Sequence, residues 1–223
     1  MPDGQYSFYL HSDDRTDIAA MATISTISQP LRGEFIRTAA TAGAVVYQVD
    51  ARLPALIPVF FAGQLSAVRL CAVMALVSGT WSSLTGLPDE PENGEAALPV
   101  SPETEYQRRR YTLTLQNGRS GERVESVLTE ASSRLRGDLL RNLIITGLAL
   151  HTTAPELPRL LASMPVPPTS VSELQALVQQ MAGTADVSRA AVAVPDTPVT
   201  SAVPVSGSDT REIKKNMRRA FGD

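Results

Sequence analysis

Three consecutive arginines precede two threonines that alternate with apolar residues near the middle of the chain. Arg108, Arg109 and Arg110 are followed by Tyr-Thr-Leu-Thr-Leu-Gln, in which Thr112 and Thr114 fall on one side of a predicted strand. Guanidinium groups bind phosphates, whereas threonine hydroxyls and methyls can contact base edges. The pattern predicts contacts to duplex DNA. A solvated linker end and an ordinary solvent-facing strand, in which threonine is common, are the alternatives.

The balance of charge changes abruptly where this segment begins. Residues 81–107 carry six acidic and no basic residues, whereas residues 108–165 carry nine arginines and five acidic residues. In a chain whose net charge is only −3, this distribution indicates a polyanion-binding face beside an acidic linker. The other interpretation is an ordinary charged helix surface.

A second alternating segment lies at residues 5–11. Its polar face carries Ser7, Tyr9 and His11, which we predict to be DNA contacts from the other half of an asymmetric DNA-binding face. His11 and His151 have no carboxylate or cysteine at a ligand spacing, so we expect no metal site.

The two strands belong to an internal repeat, because similar motifs recur in the same order along both halves of the chain. The matching segments are Tyr6, Phe8 and Leu10 with Tyr111, Leu113 and Leu115, residues 31–37 with residues 135–141, Gly43 with Gly147, Leu53-Pro54 with Leu157-Pro158, and Gly79 with Gly183. Each unit is predicted to be a short strand followed by helices, with one residue inserted or lost between the strand and the second helix.

Arg32-Gly33 and Arg136-Gly137 stand where the second helix of each unit is predicted to begin. Free backbone N–H groups at a helix N-terminus bind phosphate readily, and the arginines would assist. A glycine N-cap, with Glu34 or Asp138 complementing the helix dipole, is equally compatible with the sequence.

The composition favours a mainly α fold with a short two-stranded antiparallel ribbon. Hydrophobic residues make up 43% of the chain but aromatic residues only 5%, which suits closely packed helices. Because a single short strand cannot satisfy its own hydrogen bonds, we expect strand 5–11 to pair with strand 110–116 in the same chain as a pseudo-dimer. The competing arrangement pairs like strands between two chains.

The composition also divides the chain into segments. We predict repeat units at 1–79 and 108–183, a flexible acidic Pro- and Gly-rich linker at 80–107, a disordered tail at 184–208 and a short amphipathic helix at 209–223. Such a helix on a tether suits capture of a partner protein. The residues predicted to bind it are Ile213, Lys214, Lys215, Met217, Arg218 and Phe221.

The segments Tyr-Thr-Leu-Thr-Leu-Gln at 111–116 and Arg-Gly-Asp-Leu-Leu-Arg at 136–141 resemble ribbon-helix-helix DNA-binding proteins. The run from 135 to 161 is similar, more narrowly, to centromere-binding adaptors of plasmid partition systems of the ParR or StbB type. That resemblance implies repeated centromere-like DNA sites, an actin-like ATPase filament as partner of the C-terminal segment, and higher-order self-assembly. Members of that family usually carry one unit and dimerise, whereas this chain carries two.

Other functions have less support in the sequence. A ribbon-helix-helix transcriptional repressor or relaxosome accessory protein would share the fold and the DNA, and a helical interaction scaffold would bind no nucleic acid. Catalytic and phosphate-loop motifs are missing from the sequence, so we expect neither an enzyme nor a cofactor. The lone Cys71 predicts no disulfide within the chain and fits a reducing cytoplasm. The N-terminus predicts no signal peptide, and the broken apolar run at 53–77 predicts no membrane insertion.

Overall fold

The described part of the chain contains two strands, eight α-helices and a short 3-10 helix at Gln29–Leu31. The computed structural model describes residues 4–80 and 107–192, and the side chains only as far as 183. The strands are β1 (Gln5–His11) and β2 (Arg108–Thr114). The helices are α1 (Arg15–Thr26), α2 (Arg32–Val49), α3 (Leu53–Phe60), α4 (Ala67–Ser78), α5 (Arg119–Glu130), α6 (Arg136–Thr153), α7 (Leu157–Ser163) and α8 (Val171–Val192).

The order of elements repeats. Helices α1 to α4 correspond to α5 to α8, and each pair begins 104 positions apart along the chain, whereas β1 and β2 begin 103 positions apart. The predicted duplication, with one residue inserted or lost between strand and second helix, is therefore confirmed. The described residues up to 189 form one compact unit, so the two repeats share a core. Of the second unit, 190–223, only residues 190–192 are described, as the end of α8.

The two strands pair antiparallel within one chain, as predicted. Phe8 lies opposite Tyr111, and the pairing runs from Gln5 opposite Thr114 to His11 opposite Arg108. The predicted bounds of the second strand, 110–116, are wrong by two residues. A shift of two residues leaves every side chain on its original face, so alternation alone could not detect it. Residues Phe8 and Leu10 correspond to Tyr111 and Leu113, not to Leu113 and Leu115.

The centre of the core is the crossing of α2 and α6. At this crossing a Cβ atom on Gly43 would collide with the backbone carbonyl of Leu143, and a Cβ on Gly147 would collide with that of Ala39. Only glycine allows the two backbones to approach so closely. Leu140, Ile144 and Leu148 of α6 are fully buried with Ala40, Ala44 and Val45 of α2. The matched glycines of the repeat therefore allow the two halves to pack closely against each other.

Helices α3 and α7 were not predicted from the sequence, although each begins with a Leu-Pro pair of the internal repeat. Pro54 and Pro158 stand in the first turn, where no intrahelical N–H bond is needed. Pro58 lies inside α3, and its carbonyl accepts a hydrogen bond from the Thr16 hydroxyl of α1 at 3.1 Å. Proline in a helical first turn thus marks the start of these helices.

The two repeats end differently. Gly79 closes α4 in the left-handed conformation, with a φ of 70°. Its counterpart Gly183 does not stop α8, which continues to Val192. The predicted tail therefore begins at least nine residues too early, because residues 184–192 contain no proline and include three alanines.

The remaining predicted segments lie outside the described residues. These are the linker from residue 81 to 106 and the chain from 193 onwards, including the amphipathic segment 209–223. Within the described ranges, no helix combines the length and the apolar composition that crossing a membrane requires.

Candidate nucleic-acid interface

The outward face of the ribbon is polar across both strands. Successive residues of a strand point to opposite faces, and the buried residues of the ribbon are Phe8, Leu10 and Leu113. The opposite, outward face carries Gln5, Ser7, Tyr9, His11, Arg108, Arg110, Thr112 and Thr114. Seven of the predicted contact residues therefore meet on one surface, although they come from segments about a hundred positions apart.

Two arginines of this face are held by their diagonal neighbours on the opposite strand. The guanidinium carbon of Arg108 lies 3.6 Å from the centre of the Tyr9 ring. Arg110 donates to the Ser7 hydroxyl from Nη2 at 2.9 Å and from Nε at 3.2 Å. Both arginines are exposed, so their remaining donors face solvent. Positioning by neighbours reduces the entropy lost when a guanidinium binds a ligand.

Arg109 lies on a different side of the ribbon from its two neighbours, and its predicted phosphate contact stays a prediction. It lies opposite Leu10 in the register and therefore on the inward side of the ribbon. Its guanidinium carbon lies 5.3 Å from the centre of the Tyr111 ring, and the Tyr111 ring stacks on Phe8 with centroids 5.2 Å apart. Arg109 is exposed at the ribbon edge and cannot share the outward face with Arg108 and Arg110.

Arg32 and Arg136 hold the end of the helix that precedes each of them. Arg32 donates from Nε to the Ile27 carbonyl at 2.8 Å and from Nη2 to the Ser25 carbonyl at 3.2 Å. Arg136 donates from Nε to the Ala131 carbonyl at 3.2 Å. Carbonyls at a helix C-terminus lack intrahelical partners, so these bonds stabilise the turn between two helices. This structural role accounts for both arginines without a phosphate.

Gly33 and Gly137 lie in the first turn of α2 and α6, two residues later than the alternative of a glycine N-cap requires. The N-cap residues are Leu31 and Leu135, and neither has a side chain that can cap. A Cβ on Gly137 would lie 3.4 Å from the Ser7 carbonyl, so the α6 N-terminus packs close to β1. Gly33 is exposed. Backbone N–H groups therefore flank the ribbon.

The end of the ribbon next to α1 is acidic. Asp14 caps α1 by accepting from the Asp17 N–H at 2.9 Å. The Asp17 side chain, 1% exposed, accepts from Arg141 Nε at 2.7 Å and from the His11 N–H at 2.9 Å. Arg141 also contacts Asp14 at 3.3 Å. Burial raises the pKa of Asp17, although the Arg141 and His11 hydrogen bonds oppose the shift. Asp13 and Asp138 line the same groove.

The equivalent end next to α5 is basic and has no acidic cap. Gly118 stands where Asp14 stands in the first repeat, and no side chain caps α5. Gly121 replaces Asp17, because a Cβ there would collide with the Gln116 carbonyl. Arg37, Arg119 and Arg159 line the groove at this end, in which Glu34 is the only acidic residue among the described residues. Arg37 is bound by Glu34 through both Nε and Nη2.

Sequence reasoning missed several residues of this surface. Gln5 shares the outward face with Ser7 and could have been found by extending the alternation by one pair. Arg119 and Arg159 contribute to the basic charge of residues 108–165 but were not predicted as contact residues, since nothing in their spacing shows that two helices bring them together. The Asp17–Arg141 ion pair has no sequence signal, because its members belong to different repeats.

Two predictions about sites lie beyond this surface. The predicted partner-binding residues, Ile213, Lys214, Lys215, Met217, Arg218 and Phe221, are outside the described residues. Within residues 4–80 and 107–192, no group of three or more His, Cys, Asp or Glu side chains is arranged to hold a metal ion.

Comparison with protein families gives a match in two separate segments. A family model described as a plasmid stability protein matches residues 4–74 and again residues 109–178. Neither the curated proteins nor the solved structures compared with the chain give a match. The two matched segments coincide with the two structural repeats and together cover more than half of the chain. The chain therefore belongs to the plasmid stability protein family, with the family unit present twice.

Proposed function

We propose that this protein binds duplex DNA through the outward face of its β1–β2 ribbon, as ribbon-helix-helix proteins do. The single observation that carries the proposal is the face itself: two paired strands expose arginines, hydroxyls, an amide and an imidazole and bury only their apolar sides. A two-stranded ribbon fits the major groove, where such groups can contact base edges.

The elements beside the ribbon support the same function. Backbone N–H groups at the starts of α2 and α6 flank the two strands, and such groups bind phosphates. In this proposal Arg108 and Arg110 contact phosphates or guanines, Thr112, Thr114, Ser7 and Tyr9 contact base edges, and Gly33 and Gly137 approach the backbone. Arg32 and Arg136 serve indirectly, because they fix the turns that position these glycines.

We further propose that DNA binding serves plasmid segregation. Membership of a plasmid stability family assigns the protein to plasmid maintenance. An adaptor for segregation needs a DNA-binding domain and a second segment that binds a motor, here an actin-like ATPase filament. Residues 209–223 supply a basic amphipathic sequence suited to that contact. Several copies on repeated, centromere-like sites would bind a filament with avidity.

A footprint on DNA that surrounds the gene for this protein tests the first proposal. We expect protection of discrete, repeated sites, with protection lost when salt is raised, since phosphate contacts release counterions. Uniform coating of all DNA, or no protection at low salt, would contradict specific binding by the ribbon.

Deletion of residues 209–223 tests the division of labour. We expect the truncated chain to give the same footprint and to lose cosedimentation with the filament of the partner ATPase encoded on the same plasmid. A chain that carries Arg69→Ala, an exposed arginine on α4, serves as the full-length control and should retain both activities. Loss of the footprint on truncation would show that the tail is part of the DNA-binding surface.

A further inference from the structure

The ribbon has an approximate two-fold axis that passes between Phe8 and Tyr111. These two residues correspond in the internal repeat and lie directly opposite each other in the antiparallel register. Their rings stack with centroids 5.2 Å apart. Rotation about this axis exchanges β1 with β2, as in a two-fold symmetric dimer, so each outward residue of one strand has a counterpart on the other.

The outward residues near the N-terminal ends of the strands do not obey this symmetry. The rotation exchanges Gln5 with Arg108 and Ser7 with Arg110. An amide and a hydroxyl both donate and accept hydrogen bonds, whereas a guanidinium only donates. Arginine pairs with guanine and glutamine with adenine in the major groove, so the two halves favour different bases.

The outward residues near the C-terminal ends of the strands differ as well. The rotation exchanges Tyr9 with Thr112 and His11 with Thr114. Rings on one strand therefore stand where short β-branched side chains stand on the other. A threonine methyl can contact thymine, which the hydroxyl of a tyrosine cannot imitate. None of the four exchanged pairs preserves residue type.

The two ends of the ribbon also differ in charge. Asp13 and Asp14 at the α1 end correspond to Asn117 and Gly118 at the α5 end. Since DNA phosphates are repelled by carboxylates and attracted by the arginines beside α5, the two ends of the ribbon cannot make equivalent backbone contacts.

We infer that this protein recognises a non-palindromic DNA site and binds it in one orientation. The inference rests on the proposed DNA binding and names the class of site. A symmetric dimer reads a palindrome, because its two halves are identical. In this chain the backbone of the ribbon has approximate two-fold symmetry, but its outward side chains do not. A complex bound in the reversed orientation therefore loses base contacts in both halves. Copies bound to direct repeats all face the same way along the DNA.

Selection from a duplex library with a random central segment, followed by directed cleavage, tests the inference. Asp13→Cys and Asn117→Cys place a thiol at matched, exposed positions at opposite ends of the ribbon. Both variants carry Cys71→Ser, which removes the buried native thiol. A DNA-cleaving iron chelate attached to each thiol should cut the selected duplex at one end only, and the two variants should cut opposite ends.

The possible outcomes distinguish a failure of this inference from a failure of the proposed DNA binding. Enrichment of a non-palindromic sequence with single-ended cleavage supports the inference. Enrichment of a palindrome, or cleavage at both ends by each variant, overturns the inference and leaves DNA binding intact. Failure of the full chain to enrich any duplex overturns the DNA-binding proposal, and the inference falls with it.

A symmetrised ribbon provides a second, independent measurement. This variant gives β1 the outward residues of β2 through Gln5→Arg, Ser7→Arg, Tyr9→Thr and His11→Thr. We expect it to select a site in which the half read by β2 occurs twice as an inverted repeat. Selection of the same non-palindromic site as the unmodified chain would overturn the assignment of base readout to these residues.

Discussion

At the scale of single residues, Asp17 and Arg141 fix the position of β1 relative to the second repeat. Asp17 lies on α1 and Arg141 on α6, and their side chains meet at 2.7 Å with Asp17 buried. The second Asp17 oxygen accepts the His11 N–H, so one carboxylate orients the end of β1. A buried carboxylate requires both partners, because an unpaired buried charge is costly.

Asp17→Asn should destabilise the protein by about 1–3 kcal/mol at neutral pH, because an amide cannot accept hydrogen bonds at both positions. Burial raises the pKa of Asp17 in the folded chain. At pH values between the unfolded-state and folded-state pKa, folding therefore takes up a proton. The unmodified chain should therefore gain stability relative to Asp17→Asn as the pH falls through the folded-state pKa, with the gain complete below about 3.9. Urea unfolding at several pH values measures this difference.

Asp13→Asn is the matched control for that titration. Asp13 is an exposed neighbour, and its variant should track the unmodified chain within about 0.5 kcal/mol. A relative loss of stability by the unmodified chain on acidification would mean that the ion pair, rather than burial, governs Asp17.

At the scale of elements, the α2–α6 crossing makes one domain out of two repeats. Gly43→Ala should cost about 2–3 kcal/mol, because its Cβ would collide with the Leu143 carbonyl and force the helices apart. Gly33→Ala on the same helix is the control. Its Cβ meets only Arg37 Nη1 at 3.8 Å, so alanine should be neutral or stabilise by up to about 1 kcal/mol. Equal effects of the two substitutions in urea unfolding would contradict the close crossing.

The elements also separate what the sequence could predict from what it could not. Local signals identified the strand faces, the repeat and the approximate starts of α2 and α6, because alternation and matched Arg-Gly motifs are properties of short segments. The β2 register was wrong by two residues, since only partner strands define a register. Helices α3 and α7 were not predicted, although proline in the first turn of each favours a helix start.

The candidate site was predictable only in part for the same reason. Ser7, Tyr9, Thr112 and Thr114 follow from alternation within each strand. The helix-end contacts of Arg32 and the inward placement of Arg109 depend on side chains and strands that meet only in the folded chain.

At the scale of the whole molecule, one chain supplies both strands of the ribbon, whereas a symmetric dimer would supply one strand from each of its two chains. Ser7 and Thr112 lie opposite each other on the ribbon. A Ser7→Cys/Thr112→Cys variant, with Cys71→Ser, should therefore form its disulfide within one chain on mild oxidation and run as a monomer on a non-reducing gel. Each single-cysteine variant is the control. Predominantly covalent dimers of the double variant would show that like strands pair between chains.

The central claim is that the outward face of this ribbon binds DNA, and the salt dependence of affinity tests it most directly. The unmodified chain, an Arg108→Ala/Arg110→Ala variant and the Arg69→Ala control are titrated with a duplex that carries the footprinted site. If both ribbon arginines contact phosphates, the slope of log affinity against log salt should fall by about 2 in the ribbon variant, with weaker binding throughout. The Arg69→Ala control should match the unmodified chain. An unchanged slope and affinity in the ribbon variant would contradict the claim.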